Sequence, residues 1–250
     1  MGKVTVTALG TNGWFDTGTG NTICIHVAFS GGSMVLDAGN GIHRLDRYAE
    51  KEKPVYLFIS HFHLDHIAGL HILPKFRDFD SFIIMGQSGT REILGRLQDS
   101  PFTKPPKDIP LDVSYVELPD ESGNIPFMTQ VLPMLHSDPT LGLRFEADGK
   151  TIAYCPDTGY CENAVRLARN ADLLITECAY PSGFNNEAWP HLNPESAARI
   201  ALESGARKLV LVHFDARNYP TREHRREAER IARESFPETY AGFDEMQIVL

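Results

Sequence analysis

The chain has 250 residues, 42% of them apolar, enough to bury one sizeable core, and a single domain over 1–250 is the simplest expectation. A formal charge of −9 argues against a protein whose affinity rests on neutralising many phosphates along a nucleic acid. No run of about 18 apolar residues is present, so no membrane span is expected. Met1-Gly2-Lys3 passes at once into an apolar alternation, which leaves no room for a signal peptide; the reading is a cytoplasmic protein. Cys24, Cys155, Cys161 and Cys178 lie in or beside apolar segments without a Cys-x-x-Cys pair and read as small core residues in a reducing compartment.

Apolar runs at residues 4–9, 22–29 and 33–37 predict an opening meander of strands with Gly-rich turns, and a short helix follows over 42–49. A strand at 55–59 leads to a short helix near 67–73 that Pro74 should end. Residues 81–85 read as strand, 90–98 as helix from the spacing of Ile93, Leu94 and Leu97, and the proline-rich stretch 100–110 as loop. A second group of strands is expected at 113–117, 127–135, 141–146 and 151–154, with Asp148-Gly149 turning between the last two. Helix and strand then alternate over 164–169, 173–176, 194–203 and 209–212. Segment 221–234 crowds Arg222, Arg225, Arg226, Arg230 and Arg233 together, but interleaved glutamates such as Glu229, four before Arg233, make it a solvated outer helix held on by Ala228, Ile231 and Ala232. Strand-rich halves with interspersed helices suit two sheets packed together and covered by helices.

Directly after the strand at 55–59 stand Ser60-His61-Phe62-His63-Leu64-Asp65-His66. Neutral imidazole nitrogens and a carboxylate suit zinc, with iron and manganese as alternatives. His61 and His63 can share one ion, because alternate residues of an extended segment point the same way; Asp65 and His66 then reach a second. Downstream, His136, Asp157 and His213 each follow an apolar, strand-like run. Strand ends converging on one edge would make a pocket.

This pattern, together with Gly10-Thr11-Asn12-Gly13 and Leu36-Asp37-Ala38-Gly39, resembles the metallo-β-lactamase superfamily over nearly the whole chain. The resemblance implies an α/β fold, a four-layer αββα sandwich of two mixed sheets flanked by helices. It implies that His61, His63 and His136 hold one ion, that Asp65, His66 and His213 hold a second, and that Asp157 bridges both. The chain departs from the lactamases themselves, which usually lack the His66 position and often use a Cys ligand. It also departs from the di-iron oxygen-reducing branch, which carries Glu where His63 stands. Asp37 is expected to support a ligand histidine from behind. Two divalent cations about 3.5–4 Å apart would hold a bridging hydroxide as nucleophile and stabilise charge on substrate oxygens, which defines a hydrolase without naming the bond. Asp65 would also orient that nucleophile or accept its proton.

Glu177 ends the run at 173–177, and His191 precedes the helix opening Asn193-Pro194-Glu195. In the ribonuclease Z and related phosphodiesterase branch, a Glu and a His at matching places form a pair in which the imidazole protonates the leaving oxygen. The match is loose, since Cys178 and Leu192-Asn193 replace more usual small hydroxyl residues, and a buried structural Glu with a helix-capping His is the alternative. The principal expectation is therefore a phosphodiesterase acting on a small phosphodiester or nucleotide. Processing of transfer-RNA 3′ ends is disfavoured: only 20 residues, 137–156, separate His136 from Asp157, which leaves no room for the RNA-gripping arm of that branch. The branch's usual Phe-Ser-x-Arg-Tyr also stands here as Phe214-Asp215-Ala216-Arg217-Asn218. Trp14, Phe15, Phe62, Phe184 and Trp189 are candidates for stacking on a nucleobase, or for plain loop anchoring. A thioester or lactone hydrolase, using the same cations on a carbonyl, is the enzymatic rival, and a non-catalytic carrier is the reading from another class. This kind of fold also accommodates a homodimer that covers part of the pocket.

Overall fold

The computed structural model describes residues 2–250. In chain order the strands are β1 (Thr5–Gly10), β2 (Asn12–Gly13), β3 (Cys24–Phe29), β4 (Gly32–Leu36), β5 (Val55–Ile59), β6 (Ser81–Gln87), β7 (Asp112–Leu118), β8 (Met128–Pro133), β9 (Leu141–Ala147), β10 (Lys150–Cys155), β11 (Leu173–Glu177), β12 (Leu209–Val212), β13 (Phe214–Asp215), β14 (Thr239–Ala241) and β15 (Gln247–Val249). The α-helices are α1 (Leu64–Ile67), α2 (Thr90–Leu97), α3 (Glu162–Ala168), α4 (Pro194–Ser204) and α5 (Arg222–Arg233). One sheet runs β15-β1-β3-β4-β5-β6-β7 and the other β14-β12-β11-β10-β9-β8, while β2 and β13 pair as a short ribbon.

The period of two along each strand builds the layers. Val6 and Ala8, Ile25 and Val27, Ile152 and Tyr154, and Val210 and Val212 all enter one core between the two sheets. The intervening Ala153, Cys155, Leu209 and Leu211 pack outward among Ala164, Ala197, Ala201 and Ala228 of α3, α4 and α5. On the other flank, Leu9, Val35 and Leu57 lie among Leu94 of α2 and residues of the 3-10 segments Asn40–Arg47 and Ala68–Phe76, such as Ile42 and Leu73. This is the expected four-layer arrangement. Strands buried on both faces read as continuous apolar runs, which is why they were legible.

Three local expectations need correction. Residues 113–117 do not join the second group of strands, because β7 pairs parallel with β6 at the edge of the first sheet. Pro74 does not end a helix; it sits inside the 3-10 segment, which continues to the buried Phe76. The outer helix α5 forms as expected, yet its Arg225 is fully buried rather than solvated. Strands β14 and β15, too short to carry a pattern of their own and not among the predicted strands, pair with β12 and β1 at the edges of the two sheets.

The topology also collects the ends that matter. Strands β10, β11 and β12 are mutually parallel, and β8 shares their direction because it is antiparallel to β9, which is antiparallel to β10. Their carboxyl ends therefore share one edge, where open α/β sheets place their ligands. Among the described residues no helix is long and apolar enough to cross a membrane.

Candidate metal centre

Beyond β5 the chain stays extended to His63 (φ −60°, ψ 144°), so His61 and His63 emerge on one side with ring centroids 4.5 Å apart. The single turn of α1 then swings Asp65 and His66 round. His136, Asp157 and His213 arrive from beyond the ends of β8, β10 and β12. Donor atoms of His61, His63, His136 and Asp157 lie within 4.8 Å of one another, and so do those of Asp65, His66 and His213. Between the two groups lies the Asp157 carboxylate. Its Oδ2 is 3.9 Å from His61 Nε2 and 3.8 Å from His136 Nε2, while its Oδ1 is 3.2 Å from His66 Nε2 and 3.3 Å from His213 Nε2.

Three of these atoms, His61 Nε2, His136 Nε2 and Asp157 Oδ1, are buried without a hydrogen-bond partner. Stranding polar atoms in this way costs free energy unless something satisfies them. Imidazole nitrogens converging with carboxylate oxygens form a donor set that a divalent cation satisfies, so the cluster fits metal ions.

Asp37 stands behind the cluster, as expected. Its backbone is left-handed (φ 59°), and its Oδ2 accepts from His66 Nδ1 at 2.9 Å, Ser60 Oγ at 2.9 Å and the Tyr154 hydroxyl at 2.6 Å. Orienting His66 through Nδ1 leaves Nε2 for the cluster. Tyr154 was not expected here: in the sequence it is one inward residue of an apolar strand. Trp14 N–H donates to Asp65 Oδ2 at 2.7 Å. Both Trp14 (φ 71°) and His213 (φ 51°) are left-handed, so the strained non-glycine residues Trp14, Asp37 and His213 gather at this edge. The β2–β13 ribbon pairs Gly13 with Asp215. A Cβ on Gly13 would come within 2.5 Å of His213 Cε1, so only glycine lets the first loop pass so close. Arg225 clamps that seam: it donates to Thr11 Oγ1 at 2.7 Å and to Asn12 Oδ1, and its guanidinium lies 4.9 Å from the centre of the Phe214 ring.

Electrostatics divide the cluster in two. Burial, reinforced by the His66 charge, pulls His61 well below the usual imidazole pKa, and burial likewise lowers His136. Burial opposes charge on His66 as well, but Asp157, Asp37 and Asp65 outweigh it and hold this histidine well above the usual value. His213 is raised against burial by Asp157 and Asp65.

Glu177 and His191 do meet. Glu177 is fully buried; its Oε1 lies 2.7 Å from His191 Nδ1 and accepts from Thr158 N–H at 2.8 Å, while Oε2 accepts from Ala179 N–H at 2.9 Å. Burial by itself would lower the His191 pKa, but the Glu177 charge and hydrogen bond push it up to about 9. Helix capping, the alternative for His191, falls instead to Asn193, whose side chain accepts from Ser196 N–H at 2.9 Å. Donor atoms of Asp157, His191 and His213 also lie within 4.8 Å of one another, which sets the pair at the lip of the cluster.

Over these groups opens a cavity of about 360 Å³ whose walls include Trp14, Trp189 and Asp215. Trp189 lies parallel to the His63 ring, 6.0 Å between centroids and 5° between planes. The other aromatic candidates are drawn elsewhere: Phe15 packs edge-on to Trp14, Phe184 against Tyr180, and Phe62 lines a neighbouring cavity with His63 and Asp138. None of the four cysteines is paired, and none belongs to the donor groups.

The Beta-lactamase superfamily domain matches residues 33–214. The chain belongs to that superfamily. It is a metal-dependent hydrolase, in keeping with the probable metallo-hydrolase YhfI of Bacillus subtilis, to which it is 29% identical over 73% of this chain and 75% of that one. A ribonuclease Z from Ignicoccus hospitalis is 25% identical over 89% of this chain and 90% of its own. The crystal structure of YhfI superposes over 100% of both chains with a TM-score of 0.80 at 22% identity. The short form of human tRNase Z covers 98% of both chains with a TM-score of 0.71 at 21% identity. Such structural likenesses establish the superfamily's fold for this chain, with the cluster at the edge of its two sheets.

Proposed function

We propose that this hydrolase is a dinuclear phosphodiesterase acting on a small phosphodiester or nucleotide, the whole chain working as one domain. The observation that carries the reading is the His191–Glu177 pair set beside two donor groups that share Asp157. His61, His63 and His136 would hold one cation, Asp65, His66 and His213 the other, and Asp157 both, with zinc the first choice and manganese or iron the alternatives. When bound, such cations lower the proton affinity of water and neutralise charge growing on the phosphate oxygens. Held by Glu177 through Nδ1, His191 keeps a proton on Nε2 to deliver to the leaving oxygen as its bond to phosphorus breaks. Asp65, fixed by the Trp14 N–H, orients the attacking water or accepts its proton. Trp14 and Trp189, half-exposed on the cavity wall, offer faces on which a base can stack. Four unpaired cysteines support a reducing compartment, the cytoplasm.

A thiolate leaves without a proton, so a thioesterase would have little use for His191. Transfer-RNA processing, the activity named in the ribonuclease Z and human tRNase Z relatives, is the second reading; the short His136–Asp157 connection and the charge of −9 disfavour it. The discriminating experiment is His191→Ala. It should keep its metal content and lose about 10²–10⁴ in rate on a diester with a poor leaving group, but far less on an activated aryl diester. Equal losses on both would remove the proton-donor role.

A further inference from the structure

Asp215 belongs to neither donor group, yet it lines the same cavity as His191. It sits on β13, two residues beyond His213, where the related phosphodiesterase branch usually carries Ser. Its Oδ1 accepts from Arg217 N–H at 2.8 Å and Asn218 N–H at 3.0 Å, which fixes the half-buried side chain in a turn. Among the described residues no protein donor reaches Oδ2. The other carboxylates on the cavity wall, Asp65 and Asp157, face the cation sites, and no Lys or Arg is among the lining residues. Glu177 already balances a protonated His191, so the charge of Asp215 is left over in the cavity that both His191 and Asp215 line.

We infer that Asp215 selects the leaving group, accepting a hydrogen bond from a neutral group that bears a hydroxyl or amine and repelling one that carries a second phosphate. The inference rests on the phosphodiesterase reading. The cations would meet the charge of the scissile phosphate and His191 would give its proton to the leaving oxygen, but a further phosphate reaching past them to Asp215 would find a like charge there, with no Lys or Arg on the cavity wall to offset it. A hydroxyl or amino donor, by contrast, would satisfy Oδ2.

The test compares a dinucleoside monophosphate with the same compound carrying a terminal phosphate on its leaving nucleoside, and includes bis(4-nitrophenyl) phosphate as a reference diester. The unmodified protein should favour the dinucleoside monophosphate in kcat/KM by about tenfold or more. Asp215→Asn, which keeps the Oδ1 acceptor and hence the turn, should bring the ratio toward unity with metal content unchanged. Asp215→Ser, which retains a hydroxyl acceptor, should do the same and guards against misfolding of the first variant. Equal cleavage of both dinucleotides by the unmodified protein, or a ratio that neither variant moves, would overturn the inference while leaving the phosphodiesterase intact. Failure to cleave any of the three substrates would instead remove the phosphodiesterase reading, and this inference with it.

Discussion

Within the group of His61, His63 and His136, burial and neighbouring imidazoles hold His61 and His136 below the usual imidazole pKa. Across Asp157, on the side of Asp65, His66 and His213, carboxylates reverse the sign and both histidines bind protons more tightly than usual. The difference lies in what surrounds the rings. Asp37 and Asp65 crowd His66 and His213, whereas among the described residues His61 Nε2 and His136 Nε2 have only the carboxylate of the shared Asp157 within 4 Å, at 3.9 and 3.8 Å, and Asp138 faces the part-exposed His63 instead. The two neighbouring groups are thus set up differently: His61 and His136 favour the neutral form that a cation needs, while at the proposed second site His66 and His213 would have to exchange protons for a cation.

The most severe way to break this comparison is to remove what the two sides share. On the dinuclear phosphodiesterase reading, Asp157→Ala should lower the metal content of the purified protein from about two equivalents to below one and reduce diester hydrolysis by at least about a thousandfold. Retention of two ions in elemental analysis would show that Asp157 bridges nothing. Gly13→Ala acts on the second side alone, because its Cβ would press on the His213 ring. It should weaken one metal-binding step by about 10–100-fold and leave the other in place, as read from metal titrations.

Acid sharpens the contrast without mutation. The raised pKa values of His66 and His213 mean that protons compete there as soon as pH falls from neutral, whereas the lowered values of His61 and His136 delay that competition. Between about pH 7 and about pH 5 the second side should empty first. The only two tryptophans report the two sides separately, Trp189 stacked on His63 and Trp14 bonded to Asp65. Metal-dependent fluorescence in Trp189→Phe, which retains Trp14, should vanish at higher pH than in Trp14→Phe; the reverse order would contradict the assignment. The smallest effect belongs to Tyr154→Phe, which removes one of the donors to Asp37 Oδ2. It should cost about 1–2 kcal/mol of stability and no more than about tenfold in affinity at the second side, by denaturant melts and metal titration.

The asymmetry also shows how far the site could be read in advance. Four donors were legible because one short run of chain, His61 to His66, carries them; strand alternation put His61 and His63 on one side, and the family resemblance gave Asp65 and His66 to the other group. His136, Asp157 and His213 were legible as residues just past apolar strands, and Glu177 with His191 only through the family resemblance. Tyr154 was hidden because its hydroxyl matters only where β10 crosses behind Asp37. Arg225 was hidden for a similar reason: on an outer helix thick with Arg and Glu, nothing local marks the one guanidinium that turns inward to hold Thr11, Asn12 and Phe214.

What the sequence by itself determined is the set of buried strands, the donor types and their place at strand ends, because burial and side-chain alternation are local properties of the chain. Only the tertiary structure decided which carboxylate faces which imidazole, that β7 belongs with β6, and that the two sides of the centre differ in proton affinity. Those outcomes depend on contacts between residues distant in the sequence, from Ser81 with Asp112 in β6 and β7 to His66 with His213 and Asp37 with Tyr154, the last two pairs more than a hundred positions apart. Their distances are fixed by how the two sheets pack, and electrostatic interactions follow distance and burial rather than residue type.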